Sequence, residues 1–363
     1  MNTDFQALMA RANRLTQSGD LLAATEAIQR ALGGGAALPA RAAPMSTTDH
    51  ATDHAMIDDA IDGTELVSAA VDDRTKALLG VGRTVSGRYA DAHSSRDYRL
   101  YMPPQEGSVP LPLVMMLHGC TQTADDFAAG TGMSQAARER GFFVLYPEQS
   151  VQANSQRCWN WFKHSHQQRE RGEPALLAAM LRSVMTEHAI DPARVYVAGL
   201  SAGGAMAAIL ADTHPELFAA VGVHSGLAAG SARDLQGALS AMRQGGAGSA
   251  GAGAADGRGV PTIVFHGDAD ATVHPSNGEH VIAAAGALAG ASSSERVQRR
   301  GRRTSTQRVL RAHDGRVLAE HWLVHGSAHA WSGGTREGSY TDPAGPDATA
   351  EMLRFFFEHG RRH

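Results

Sequence analysis

Residues 199–203 read Gly199-Leu200-Ser201-Ala202-Gly203, a serine ringed by small residues. A short apolar run, Val195-Tyr196-Val197-Ala198, leads into it, and a helical pattern begins at Gly204. A buried strand that turns sharply through a serine into a helix exposes the hydroxyl at the sheet edge, the arrangement of a nucleophile elbow. Bulky side chains at Gly199 or Gly203 would meet neighbouring backbone in so tight a turn. A serine hydroxyl is a weak nucleophile at neutral pH, so it needs a base and a group that orients the base.

Both partners follow in the order serine, acid, histidine. The acid lies in His266-Gly267-Asp268-Ala269-Asp270, just past the apolar run at 262–265. Asp270 is the choice, from its HG-x-x-D spacing and the apolar Val273 beyond it; Asp268 is the competitor, with turn capping as its alternative role. The base is His329, in His325-Gly326-Ser327-Ala328-His329, between the last apolar strand and the final helix. His325, nearer the strand end, reads as structural. The chain has 18 histidines, so position in the order selects His329 and composition does not.

Acyl transfer also needs two backbone N–H groups aimed at the developing oxyanion. Ala202, after the nucleophile, should supply one. Cys120 should supply the other, from Leu117-His118-Gly119-Cys120 after the run LVMML. Cys120 itself is not read as a nucleophile, since the elbow already holds one. Arg157-Cys158-Trp159-Asn160-Trp161-Phe162 is an aromatic loop. Trp159 and Trp161 are either a substrate wall or packing beneath the loop, and the same question attaches to Trp331. No metal-ligand spacing, dinucleotide fingerprint or phosphate loop occurs, so neither metal nor cofactor is expected.

These residues need a scaffold that presents strand ends along one edge. Residues 113–117, 142–146, 195–198, 219–223 and 262–265 are short continuous apolar runs, as expected of strands buried on both faces. Helical patterns at 127–140, 176–188, 205–211 and 348–359 alternate with them. The expectation is an α/β-hydrolase fold, a mostly parallel sheet with helices on both faces. Residues 1–32 predict a helical hairpin, either a docking element or an appendage packed on its own domain. Residues 33–86 read as a flexible linker, and residues 87–363 as the catalytic domain, with a low-complexity insert at about 230–259. The basic run at 295–303 suits a solvated loop or hairpin tip, or a contact for a polar granule coat.

The net charge of −4 gives no general reason to expect nucleic acid. No run is long enough for a transmembrane segment. Arg11 and Arg14 interrupt any leader-like apolar region, which predicts a cytoplasmic protein. Two cysteines exclude a disulfide-built scaffold; one bridge is allowed by arithmetic, and the cytoplasmic reading expects both thiols reduced.

The set LHGCTQTADDFA, FFVLYPEQS, RCWNWF, VYVAGLSAGGAMAA, AAVGVHSGL, FHGDADATVHPSN and HAWSGG resembles the poly(3-hydroxybutyrate) depolymerase-type esterase family, which lies near feruloyl and acetylxylan esterases. The resemblance covers roughly residues 89–359. It implies carboxylic-ester hydrolysis through an acyl-enzyme carried by Ser201, Asp270 and His329. Among such proteins the chain looks most like intracellular depolymerases that attack storage granules and share the catalytic domain of secreted enzymes. The implied partner is a polyester granule or a small ester. The alternatives are a short-chain or feruloyl/acetylxylan-type esterase, and a non-catalytic granule-associated protein.

Overall fold

The computed structural model describes residues 82–91, 94–104, 109–246, 259–284, 291–300 and 302–361. All of these belong to one compact unit, Ala69–His363. The expected hairpin at 1–32 and nearly all of the expected linker lie outside the described residues. The linker's end is corrected: the first strand begins at Arg83, inside the 33–86 span.

Among the described residues, ten strands form one sheet: β1 (Arg83–Ala90), β2 (Ser95–Met102), β3 (Leu111–Leu117), β4 (Phe143–Pro147), β5 (Ile190–Leu200), β6 (Ala220–His224), β7 (Thr262–Gly267), β8 (Ser292–Arg300), β9 (Arg303–Arg311) and β10 (Val317–Val324). Their order is β1-β2-β4-β3-β5-β6-β7-β10-β9-β8. The six strands from β4 to β10 in that order run parallel. These include the runs read as doubly buried. Both flanks are antiparallel. The chain adopts the α/β-hydrolase fold.

Side chains alternate between two cores, as the strand period of two demands. Leu113, Met115 and Leu117 of β3 join the core that holds helix α3 (Gly172–Glu187) and helix α4 (Ala202–Thr213). Val114 and Met116 point the other way, toward helices α1 (Ala124–Thr131), α2 (Met133–Arg140) and α7 (Ala348–Glu358). The helical pattern at 127–140 is two helices, because Gly132 adopts φ 64 and stops the first after Thr131. The insert at about 230–259 contains helix α5 (Leu235–Gln244), capped by Asp234, which accepts from the Gly237 N–H at 2.7 Å. The basic run lies on the edge hairpin β8–β9, where arginines discourage further strand pairing. Helix α6 (Ser276–Ala284) completes the set.

Register lines the strand ends up at one level. Leu117 pairs with Gly199, Leu200 with His224, His224 with Phe265, and Val324 with Gly267. The loops that follow these strands carry His118 to Cys120, Ser201, Asp270 and His329, so the parallel core brings all of them to its carboxyl edge.

One expectation is overturned at this edge. Cys120 and Cys158 form a disulfide, with Cα atoms 4.2 Å apart. The bridge joins the loop after β3 to the aromatic loop after β4. Closing a loop of sequence separation 38 should stabilise the fold by about 4 kcal/mol through lost unfolded-state entropy. The double variant Cys120→Ala/Cys158→Ala is expected to lose about that much in denaturant unfolding. No free thiol should titrate in the denatured, unreduced wild type, and two free thiols would refute the bridge.

Candidate active site

Ser201 links β5 to α4 with φ 57 and ψ −120, a conformation that a residue with a side chain rarely adopts. The surroundings enforce it. A Cβ on Gly203 would sit 2.0 Å from the Leu117 carbonyl oxygen, and one on Gly199 would sit 2.4 Å from the Gly203 carbonyl carbon. Both obstacles are backbone, so neither can move aside. The Ser201 N–H donates to the His224 carbonyl at 2.9 Å, and the Ser201 carbonyl accepts from the Ala205 N–H at 2.9 Å.

The oxyanion loop lies against this turn, with the Cβ position of Gly119 3.6 Å from Ser201 Cβ. The Gly119 N–H donates to Gln122 Oε1 at 2.9 Å, and the Thr121 N–H to the Gln156 carbonyl at 2.7 Å. Between them the Cys120 N–H has no acceptor among the described residues. Ala202, first in α4, likewise has no intrahelical acceptor for its N–H. The two expected donors are thus unspent and flank the serine.

His329 Nδ1 lies 2.7 Å from Asp270 Oδ2. Asp270 Oδ1 accepts from the N–H groups of Thr272 and Val273, both at 2.9 Å. His266 Nε2 stands 3.5 Å from Oδ2. Burial pushes the Asp270 carboxyl up, but the bonds from His266, His329 and Val273 outweigh it and hold the carboxyl well below the usual range. Asp268 does other work: it pairs with His325 Nδ1 at 2.8 Å and accepts from the Gly326 N–H at 2.6 Å. The structure therefore couples Asp270, not Asp268, to His329. Ser201 Oγ has no hydrogen bond to His329 among the described residues. Apo sites often close that contact only around substrate.

His224, which the sequence reading did not select, connects the two halves. Its carbonyl holds the nucleophile turn. Its Nε2 accepts from the Ser332 N–H at 2.9 Å, three residues past His329. Its ring stacks on Trp331, centroids 5.1 Å apart. Burial, with His266 and His329 nearby, pushes this imidazole down from 6.5 to about 3, so it stays neutral and remains an acceptor. A histidine closing an otherwise apolar strand, Ala220–His224, was the available signal.

The tryptophans are not a substrate wall. Trp159, Trp161 and Trp331 are 0%, 5% and 1% exposed. Trp159 Nε1 donates to the His118 carbonyl at 3.1 Å, and Trp331 Nε1 to Thr349 Oγ1 at 3.0 Å. They are pillars beneath the catalytic loops. The buried Glu173 secures the same loop by accepting from Gln149 Nε2 at 2.5 Å, from the Asn160 N–H at 2.6 Å and from Asn160 Nδ2 at 2.7 Å. Among the described residues no group of three or more acidic, histidine or cysteine side chains could hold a metal ion.

Residues 96–308 match the family described as Esterase PHB depolymerase. That span contains Ser201 and Asp270 and stops short of His329. The chain is 36% identical over 180 residues to poly(3-hydroxyalkanoate) depolymerase C of Paucimonas lemoignei, covering 47% of this chain and 43% of that protein. It is 30% identical over 252 residues to poly(3-hydroxybutyrate) depolymerase of Ralstonia pickettii, covering 65% of this chain and 51% of that protein. The chain thus spans about half the length of the curated relatives it matches. The acetyl xylan esterase from Aspergillus awamori superposes with a TM-score of 0.57 at 19% identity, over 76% of this chain and 99% of that one, a likeness of fold.

His224 yields a test. The unfolded chain takes up its proton near 6.5, the folded chain only near 3. The unfolded state therefore binds the extra proton between those values, and stability falls as pH drops through that window. His224→Gln keeps an acceptor for Ser332 and removes the titration. Its stability–pH slope between about pH 6 and 4 is expected to be shallower than wild type by up to about 1.4 kcal/mol per unit. Equal slopes would show that His224 is not held neutral.

Proposed function

The chain belongs to the PHB depolymerase esterase family, and from that membership and the geometry we propose that it hydrolyses poly(3-hydroxybutyrate) or its oligomers with Ser201, His329 and Asp270 as catalytic triad. The observation that carries the residue roles is the 2.7 Å contact of His329 Nδ1 with Asp270, on the same strand-end edge as a serine in the strained elbow.

In this reading His329 Nε2 takes the Ser201 proton as Oγ attacks the ester carbonyl. The C=O pair moves onto oxygen, and the Cys120 and Ala202 N–H groups bind the oxyanion. Collapse expels the alcohol, which receives the proton from His329 and leaves an acyl-Ser201. Water, deprotonated by His329, then attacks the acyl carbon, and the second collapse frees the acid and restores Ser201. Asp270 stays ionised throughout, fixes the Nδ1–H tautomer and stabilises the imidazolium. Its depressed pKa suits that role, since it remains a carboxylate at any pH where His329 can act as base.

The Cys120–Cys158 bridge supports an oxidising compartment as the place of work, rather than the cytoplasm expected from the sequence. A polyester granule is the proposed partner on the same family grounds.

The test is release of 3-hydroxybutyrate from amorphous polymer granules, with p-nitrophenyl butyrate alongside. Wild type should act on both. Asp270→Asn should lower kcat by about 10⁴-fold, whereas Asp268→Asn should stay within about tenfold of wild type. Activity on the small ester alone would remove the polymer and leave a short-chain esterase. A more severe loss in Asp268→Asn would overturn the choice of acid.

A further inference from the structure

With the tryptophans buried, an exposed aromatic side chain beside the oxyanion loop, among the described residues, is Tyr340. It is 47% exposed, and its hydroxyl lies 3.1 Å from Thr121 Oγ1, one residue past the oxyanion donor Cys120. Thr121 and Tyr340 are 219 residues apart and both hold a left-handed backbone, at φ 66 and φ 51. For a residue as bulky as tyrosine this conformation is strained and persists only where the surroundings over-determine it.

The surroundings do so here. The Trp331 N–H donates to the Tyr340 carbonyl at 2.7 Å. The short strands β11 (Trp331–Ser332) and β12 (Thr341–Asp342) pair on either side of the loop. Ser339 donates through its N–H and its hydroxyl to Asp126, at 2.9 and 2.6 Å. Gln122 Nε2 donates to the Ser339 carbonyl at 3.2 Å. The same Gln122 holds the Gly119 N–H, so the Tyr340 loop and the oxyanion loop are tied to one side chain.

The hydroxyl protons can be assigned. Thr121 has one, and it goes to the Cys120 carbonyl at 2.6 Å. Tyr340 must then donate to Thr121. Its hydroxyl is thereby anchored at the residue after Cys120 while the side chain stays about half exposed. A large apolar ring, fixed at its backbone and its tip yet left solvated, is preorganised to cover something, since no entropy remains to be lost when it does.

We propose that Tyr340 is a substrate-binding residue, whose ring forms the wall that takes the aliphatic chain adjoining the scissile ester beside the oxyanion hole. This rests on the ester-hydrolase reading above and adds a selection for extended over short aliphatic esters.

The experiment compares wild type, Tyr340→Ala and Tyr340→Phe on three substrates: p-nitrophenyl acetate, p-nitrophenyl octanoate and a soluble 3-hydroxybutyrate trimer. Tyr340→Ala is expected to lower the octanoate-to-acetate ratio of kcat/KM by about tenfold, mostly through KM, the size of one lost aromatic contact. The trimer-to-acetate ratio should fall with it. Tyr340→Phe keeps the ring and should keep both ratios within about threefold of wild type. Acetate turnover in each sample reports whether the site is assembled. Unchanged ratios in Tyr340→Ala overturn the proposal. So does a loss shared equally by all three substrates, which would make Tyr340 only a support for the oxyanion loop. A wild type idle on the trimer but active on both nitrophenyl esters sinks the polyester reading alone, and the octanoate-to-acetate ratio still decides the wall.

Discussion

The site depends on one close approach of backbone to backbone. The helix that follows Ser201 begins so near the end of β3 that Gly203 has no room for a side chain against the Leu117 carbonyl. That contact bends the chain into the strained serine conformation and brings the next segment, His118 to Cys120, against the nucleophile. The serine and one oxyanion donor are therefore positioned by the same constraint. The contact is backbone on backbone and cannot relax by a rotamer change, which is how local strain survives in a folded protein.

Around that contact the protein buries polar groups that would be costly alone and gives several of them partners. His118 bonds the Gly119 carbonyl and accepts from the Gln149 N–H. His224 binds Ser332, Glu173 gathers Gln149 and Asn160, and Asp270 takes two backbone N–H groups as well as His329. Of these, His118 with Gln149, His224 with Ser332 and Asp270 with His329 tie together segments that end or follow different strands. Together with the Cys120–Cys158 bridge they turn four separate loops into one preorganised edge.

What the sequence revealed and what it hid follow from that division. The elbow was legible because its cause is local: small residues between an apolar strand and a helix pattern. The central strands were legible because burial on both faces leaves unbroken apolar runs. Asp270 and His329 were legible through their place after late strands. The disulfide was not, since pairing across 38 residues is a tertiary event and the count of two cysteines allows either state. The aromatic loop was ambiguous for the same reason: Trp159 and Trp161 look alike whether they face substrate or core. His224 and Tyr340 escaped because their roles come from partners 108 and 219 residues away. Helix α5 was masked by the glycine-rich composition around it, although its Asp234 cap was there to read.

We propose Ser201 as a nucleophile activated by the His329–Asp270 pair. The most direct measurement is reaction of the native protein with a fluorophosphonate, followed by peptide mapping of the adduct. A single covalent adduct on Ser201 is expected, with labelling slowed by orders of magnitude in His329→Ala. Labelling at another residue, or labelling indifferent to His329, would contradict it.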